Sequence, residues 1–99
     1  MNATTAKFEM GLVYATPGAL DALEKADESS LVFLMRHAAG DWGDVCEEDR
    51  NENEFALGKY LRLFSVYHLC DGTKIWIITE AVDDNGQRAA TTIILPSQY

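Results

Sequence analysis

The spacing of apolar positions changes character along the chain, and the changes mark out the elements. Phe8 to Tyr14 (FEMGLVY) is a short, mostly apolar run with β-forming residues and predicts a first strand. Gly11 inside it marks a bulge or a close backbone approach. Thr16 can cap a helix and Pro17 suits the first helical position, where its missing N–H costs nothing. Leu20 and Leu23 then form the apolar side of a short helix ending near Ala26. Ser29 or Ser30 caps a second helix, 31–39, with Leu31, Leu34 and Met35 at helical spacing and Gly40 as its stop. The turn Asp41-Trp42-Gly43-Asp44 leads to a third helix over 45–57, capped by Asp44 and ended by Gly58.

The last forty residues alternate differently. Tyr60 to Leu69, Lys74 to Ala81 and Ala90 to Leu95 are rich in Ile, Leu, Thr and aromatics, and are separated by Asp71-Gly72 and Asn85-Gly86. They predict a three-stranded antiparallel meander. The expected class is α+β: an N-terminal strand, about three short helices, then the meander, with the helices packed on one sheet face. Read as two-residue loops, the hairpins pair Cys70 with Thr73, Tyr67 with Trp76, Ser65 with Ile78, Asp83 with Arg88 and Glu80 with Thr91. One face then carries Ser65, Tyr67, Trp76, Glu80 and Thr91 among Leu63, Ile78, Ile93 and Leu95. The opposite face, with Phe64, Val66, Ile75, Ile77, Thr92 and Ile94, is apolar through its middle and is expected to take the helices.

Composition narrows the class without naming an activity. Ninety-nine residues make one domain, 1–99, with residues 1–7 expected as a loose tail; 47% hydrophobic residues are enough for a packed core. No apolar run reaches the length of a membrane span, and no basic, then apolar leader opens the chain, so a cytoplasmic protein without membrane contact is expected. Cys46 and Cys70 are expected as reduced, partly buried thiols. The formal net charge is −8, which makes free nucleic acid a poor partner because binding there needs cations facing phosphates. Seven carboxylates fall between Asp41 and Glu54, opposed only by Arg50. That stretch reads as a solvated helix face, or as an acidic patch meeting a basic partner surface.

The mixed face is the leading candidate surface. Tyr67 and Trp76 are residue types that anchor interfaces, Ser65 and Thr91 supply hydroxyls, and Glu80 in a central strand needs water or a partner. A homodimer or a protein partner is its expected occupant. A second cluster closes the second helix: Arg36 and His37 precede Asp41 and Trp42. The helix dipole accounts for a terminal histidine, while Asp41 or Asp44 beside His37 would make a general base with an orienting carboxylate. Arg62 and Arg88 are further candidates. His37, His68 and the two cysteines match no zinc spacing, and no EF-hand, Walker or nucleophile-elbow motif is present, so no metal or cofactor is expected.

Ala15-Thr16-Pro17-Gly18-Ala19-Leu20, Arg36-His37, Gly40-Asp41-Trp42-Gly43, Asn53, Ser65-x-Tyr67, Trp76-x-Ile78-Thr79-Glu80 and Thr91-Thr92-Ile93-Ile94-Leu95-Pro96 with Tyr99 form an ordered series. Over residues 8–99 the chain resembles a family of small bacterial proteins of plasmids, integrative elements and gene cassettes, known as plasmid-related proteins. The resemblance implies an accessory role on a mobile element. Residues 82–87 lengthen the last hairpin relative to that family, which leaves Arg88 without an assured counterpart. The expected function is a non-enzymatic binding or interaction domain acting through the mixed face. Two alternatives are an RNase-like toxin of barnase-like or RelE-like architecture, drawing on His37, Arg62, Ser65, Tyr67, Glu80 and Arg88, and an acidic DNA mimic or anti-restriction protein, drawing on Glu47, Glu48 and Asp49.

Overall fold

The computed structural model describes residues 6–99; the first five residues of the expected tail lie outside it. Strand β1 (Leu12–Ala15) is followed by helices α1 (Pro17–Lys25), α2 (Ser30–Ala38) and α3 (Glu47–Lys59), then strands β2 (Leu63–His68), β3 (Lys74–Thr79) and β4 (Ala90–Ile94), and a 3-10 turn at Pro96–Gln98. This is an α+β domain with three helices and a four-stranded sheet of order β1-β4-β3-β2. The strands β2, β3 and β4 pair antiparallel in succession. β1 pairs parallel to β4, so the sheet is mixed rather than a meander with a separate strand.

Local chemistry sets most boundaries. Thr16 Oγ1 accepts from the Ala19 amide at 3.2 Å with Pro17 in the first turn, and Ser29 Oγ accepts from Leu31 at 3.2 Å, so both helices start where their capping residues predict. The first strand begins at Leu12 rather than Phe8, because Gly11 sits at φ +66° directly against the Arg88 carbonyl, where a Cβ would collide. α3 departs further from expectation. Its cap is Cys46, whose Sγ accepts from Asp49 N, while the Asp44 carboxylate turns to His68. Gly58 does not stop it; Tyr60 does, in the left-handed conformation at φ 60°. Both cysteines are exposed and unpaired, rather than partly buried.

The two hairpin loops hold one residue more than two-residue turns would. In the first, Gly72 N–H donates to Leu69 O at 2.8 Å and Leu69 N–H to Thr73 O at 2.8 Å. In the second, Gly86 N–H donates to Asp83 O at 3.0 Å and Asp83 N–H to Gln87 O at 2.8 Å. Each is a three-residue loop with glycine in the left-handed position, φ 90° at Gly72 and φ 76° at Gly86. Aspartates hold them: Asp71 Oδ1 accepts from Thr73 N, and Asp83 Oδ1 from Asn85 N and Gln87 N.

That extra residue corrects the register. Tyr67 pairs with Ile75, Val66 with Trp76, Ser65 with Ile77, Phe64 with Ile78, and Thr79 with Thr91. Side chains alternate, so a shift of one moves each strand's whole set across the sheet relative to its neighbour. The inner face holds Leu63, Ser65, Tyr67, Ile75, Ile77, Thr79, Thr91 and Ile93, and α1 and α2 pack there through Ala19, Leu23, Phe33 and Leu34. The outer face holds Phe64, Val66, Trp76, Ile78, Thr92 and Ile94, continued on β1 by Leu12 and Tyr14. α3 does not join the inner layer. It flanks β2, where the Asn53 amide donates to Phe64 O at 2.6 Å and accepts from Phe64 N at 3.1 Å, in the manner of a neighbouring strand.

Candidate functional site

The proposed mixed cluster is divided by the register. Ser65, Tyr67 and Thr91 face the helices, Trp76 faces the other way, and Glu80 lies exposed just beyond β3. No strand geometry brings these five together. Glu80 meets water, which removes the difficulty of a carboxylate in mid-sheet.

Ser65 and Thr91 belong instead to a buried polar chain centred on His37, itself fully buried. Ser65 Oγ lies 2.5 Å from His37 Nδ1, His37 Nε2 lies 2.8 Å from Thr79 Oγ1, and Thr79 Oγ1 lies 2.7 Å from Thr91 Oγ1. Thr91 donates to the Met10 carbonyl at 2.7 Å. That last bond sets the direction of the others, because each hydroxyl has one proton. Thr91 must accept from Thr79, Thr79 must accept from Nε2–H, and Nδ1 is left to accept from Ser65. The tautomer assigned by this chain is neutral Nε2–H. Burial, with the charge of Arg88, pushes the His37 pKa down to about 4, so the ring is uncharged near neutrality.

A serine hydroxyl on a histidine nitrogen is the pairing used in nucleophilic catalysis, but here Ser65, His37, Thr79 and Thr91 are all sealed under the helices. Asp41 and Asp44 do not orient His37. Asp41 pairs with Arg36 at 2.7 Å, which holds its carboxyl below the ordinary range, and Asp44 pairs with His68 at 2.7 Å. Tyr67 donates to Asp41 O, and the Arg36 guanidinium stands 4.6 Å from the centre of its ring. Trp42 is buried and donates to Glu54 at 2.8 Å. Arg88, 5% exposed, donates from Nη1 to Leu61 O at 2.7 Å and Glu80 O at 2.9 Å, tying the start of β2 to the end of β3. Of the residues in the RNase reading, His37, Ser65, Tyr67 and Arg88 are thus buried, while Arg62 and Glu80 are exposed.

An accessible concavity lies on the outer face. A groove of about 880 Å³ runs between α3 and the sheet. Phe64, Trp76 and Ile78 form its floor, with Ala56, Leu61 and Ala81 continuing it. Trp76 meets Phe64 edge to face at 5.1 Å and Tyr99 at 5.4 Å, so three aromatic rings share one surface. Arg62 closes one end: its Nη2 donates to the Tyr99 hydroxyl, and its guanidinium lies 5.3 Å from that ring. Along α3, Asp49, Glu52, Asn53 and Ala56 fall at helical spacing on the side that lines the groove. The acidic stretch is therefore not one uniform patch: two carboxylates look into the groove, Glu54 holds Trp42, and Asp41 and Asp44 are paired.

Of the predicted site residues, Trp76 and Arg62 line this groove. Phe64, Ile78, Asp49, Glu52 and Tyr99 were not foreseen as its walls. Their signal was present in the even alternation of Phe64, Val66, Trp76 and Ile78, but only the correct loop length places it on the open face. Among the described residues no group of three or more His, Cys, Asp and Glu side chains is arranged to hold a metal ion, and no helix is long and apolar enough to cross a membrane. Comparison of the chain with protein-family models, curated proteins and solved structures finds no match to any of them.

Proposed function

We propose that this protein is a non-enzymatic binding domain whose working surface is the groove between α3 and the outer sheet face, and that it takes a small organic cation with a flat apolar body. The accessory setting implied by the resemblance to mobile-element proteins is compatible with such a role. The observation that carries the reading is the lining: Trp76 packed against both Phe64 and Tyr99 beside Asp49 and Glu52, in a concavity of about 880 Å³. Small-molecule sites have this character, mostly apolar and aromatic with a few polar groups that set orientation, in volumes of roughly 300–1,000 Å³. Aromatic faces attract cations, the lining carries two carboxylates and one guanidinium, which is engaged by Tyr99, and the chain's charge of −8 raises the local cation concentration.

The test is calorimetric titration with (naphthalen-1-ylmethyl)trimethylammonium, with naphthalene-1-sulfonate as the anionic counterpart. Saturable binding of the cation, lost in Trp76→Ala and weakened about tenfold in the double variant Asp49→Asn/Glu52→Gln, supports the reading; about tenfold corresponds to ~1.4 kcal/mol. Equal or tighter binding of the sulfonate, or cation binding indifferent to Trp76→Ala, refutes it.

A further inference from the structure

The sheet has two edges, and they are finished differently. At β2, Val66 N–H donates to Trp42 O at 3.1 Å, Asp44 N–H donates to Val66 O at 2.7 Å, and Asn53 satisfies both backbone groups of Phe64. That edge is closed. At β1, Leu12 N–H donates to Ala89 O at 3.1 Å and Thr16 N–H to Ile93 O at 3.0 Å. Even-numbered residues therefore turn toward β4. In a parallel ladder the alternate residues point the other way, so Val13 and Ala15 present their N–H and C=O groups outward. The side chains leave the strand open: Leu12, Val13 and Tyr14 are 66%, 45% and 53% exposed.

Natural sheets guard such an edge with lysine, an in-strand proline, a bulge or a covering segment. β1 carries none of the first three, and from Met10 to Leu20 the chain has no charged residue. Among the described residues, no backbone hydrogen bond covers the outward groups of Val13 and Ala15.

We infer that β1 is a self-association edge, and that two copies join through antiparallel β1–β1 pairing about a two-fold axis into one continuous eight-stranded sheet. An outward-facing antiparallel edge is self-complementary, as a two-fold interface requires. The parity is favourable too. Outward backbone groups belong to odd positions, so odd pairs with odd, and Leu12 and Tyr14 of both copies meet on the outer face. Val13 meets its counterpart's apolar positions on the inner face.

Charge distribution selects the β1 edge, rather than β2, for a second copy, despite a net charge of −8 on each chain. The acidic helix α3 flanks β2, at the far side of the order β1-β4-β3-β2. Joining at β1 separates the two β2 strands by seven strand spacings, about 33 Å, while surface charges are screened over roughly 8 Å at physiological salt. Joining at β2 would set the two acidic helices side by side. The grooves stay open at the two ends of the long sheet, so this inference stands independently of what they bind.

Sedimentation equilibrium across a wide concentration range, with hydrogen exchange of individual amides, tests it. The expected species has twice the 11.0 kDa chain mass, and the Val13 and Ala15 amides gain protection as concentration rises. Val13→Pro removes one outward N–H that the β4 ladder does not use, and should give a monomer with unchanged secondary structure. If that variant fails to fold, Val13→Lys gives the same readout through charge. A chain that stays monomeric throughout, a dimer of the unsubstituted chain in which the Val13 and Ala15 amides exchange freely, or a dimer that survives the substitution, overturns it.

Discussion

The rings of Trp76 and Phe64 meet edge to face on the outer side of the sheet, their centroids 5.1 Å apart and their planes at 81°. With two-residue hairpin loops these residues would lie on opposite faces. Their contact is the direct consequence of the third loop residue, and it separates an outward aromatic surface from an inward polar chain.

Acid should destabilise the fold through His37. Its pKa is about 4 in the folded protein and 6.5 ordinarily. Between these values the unfolded chain binds a proton that the folded chain refuses, so stability rises with pH across that window and is complete above about 6.5. The loss on descending from pH 6.5 to 4 is expected to be roughly 3 kcal/mol from this group. Denaturant unfolding at a series of pH values measures it. In His37→Gln that pH slope should flatten, whatever the absolute stability of the variant.

Asn53 closes the β2 edge with two hydrogen bonds to Phe64. It is 3% exposed, so removing the amide strands a backbone donor and acceptor away from water. Asn53→Ala is expected to cost about 2–4 kcal/mol by denaturant unfolding. Amide exchange at Phe64 should accelerate more than at Ile77, in the sheet interior.

Two glycines should respond oppositely to alanine. Gly43 adopts φ +75° and abuts the Val66 carbonyl and the Tyr67 ring, so Gly43→Ala should cost more than about 2 kcal/mol and loosen the covered edge. Gly58 lies inside α3 with nothing near its missing side chain. Gly58→Ala should therefore stabilise by about 0.5–1 kcal/mol. Thermal unfolding of the two variants checks both signs.

Much of the fold was legible because its signals are local. Thr16 with Pro17, Ser29, and the glycines of both hairpins sit where the structure uses them. Loop length was not legible, since Asp71-Gly72 and Asn85-Gly86 satisfy a two-residue turn as well as a three-residue loop with a left-handed glycine. What decides is the side-chain bonding of Asp71 and Asp83 to amides within and just after the loop, together with the inner face's need to bury Ser65, Thr79 and Thr91 around one histidine. The parallel pairing of β1 with β4 is a long-range choice that no short motif encodes. The end of α3 was misplaced for a related reason: Gly58 carries the usual stop signal, yet the left-handed turn comes two residues later at Tyr60.

The most direct measurement uses the two tryptophans as site and control. Trp76 floors the groove, while the Trp42 indole N–H is buried on Glu54. In an indole ¹H–¹⁵N spectrum titrated with (naphthalen-1-ylmethyl)trimethylammonium, the Trp76 signal should shift saturably while that of Trp42 stays in place. A shift of Trp42 alone, or of neither at saturating probe, would contradict a cation-binding groove on the outer face.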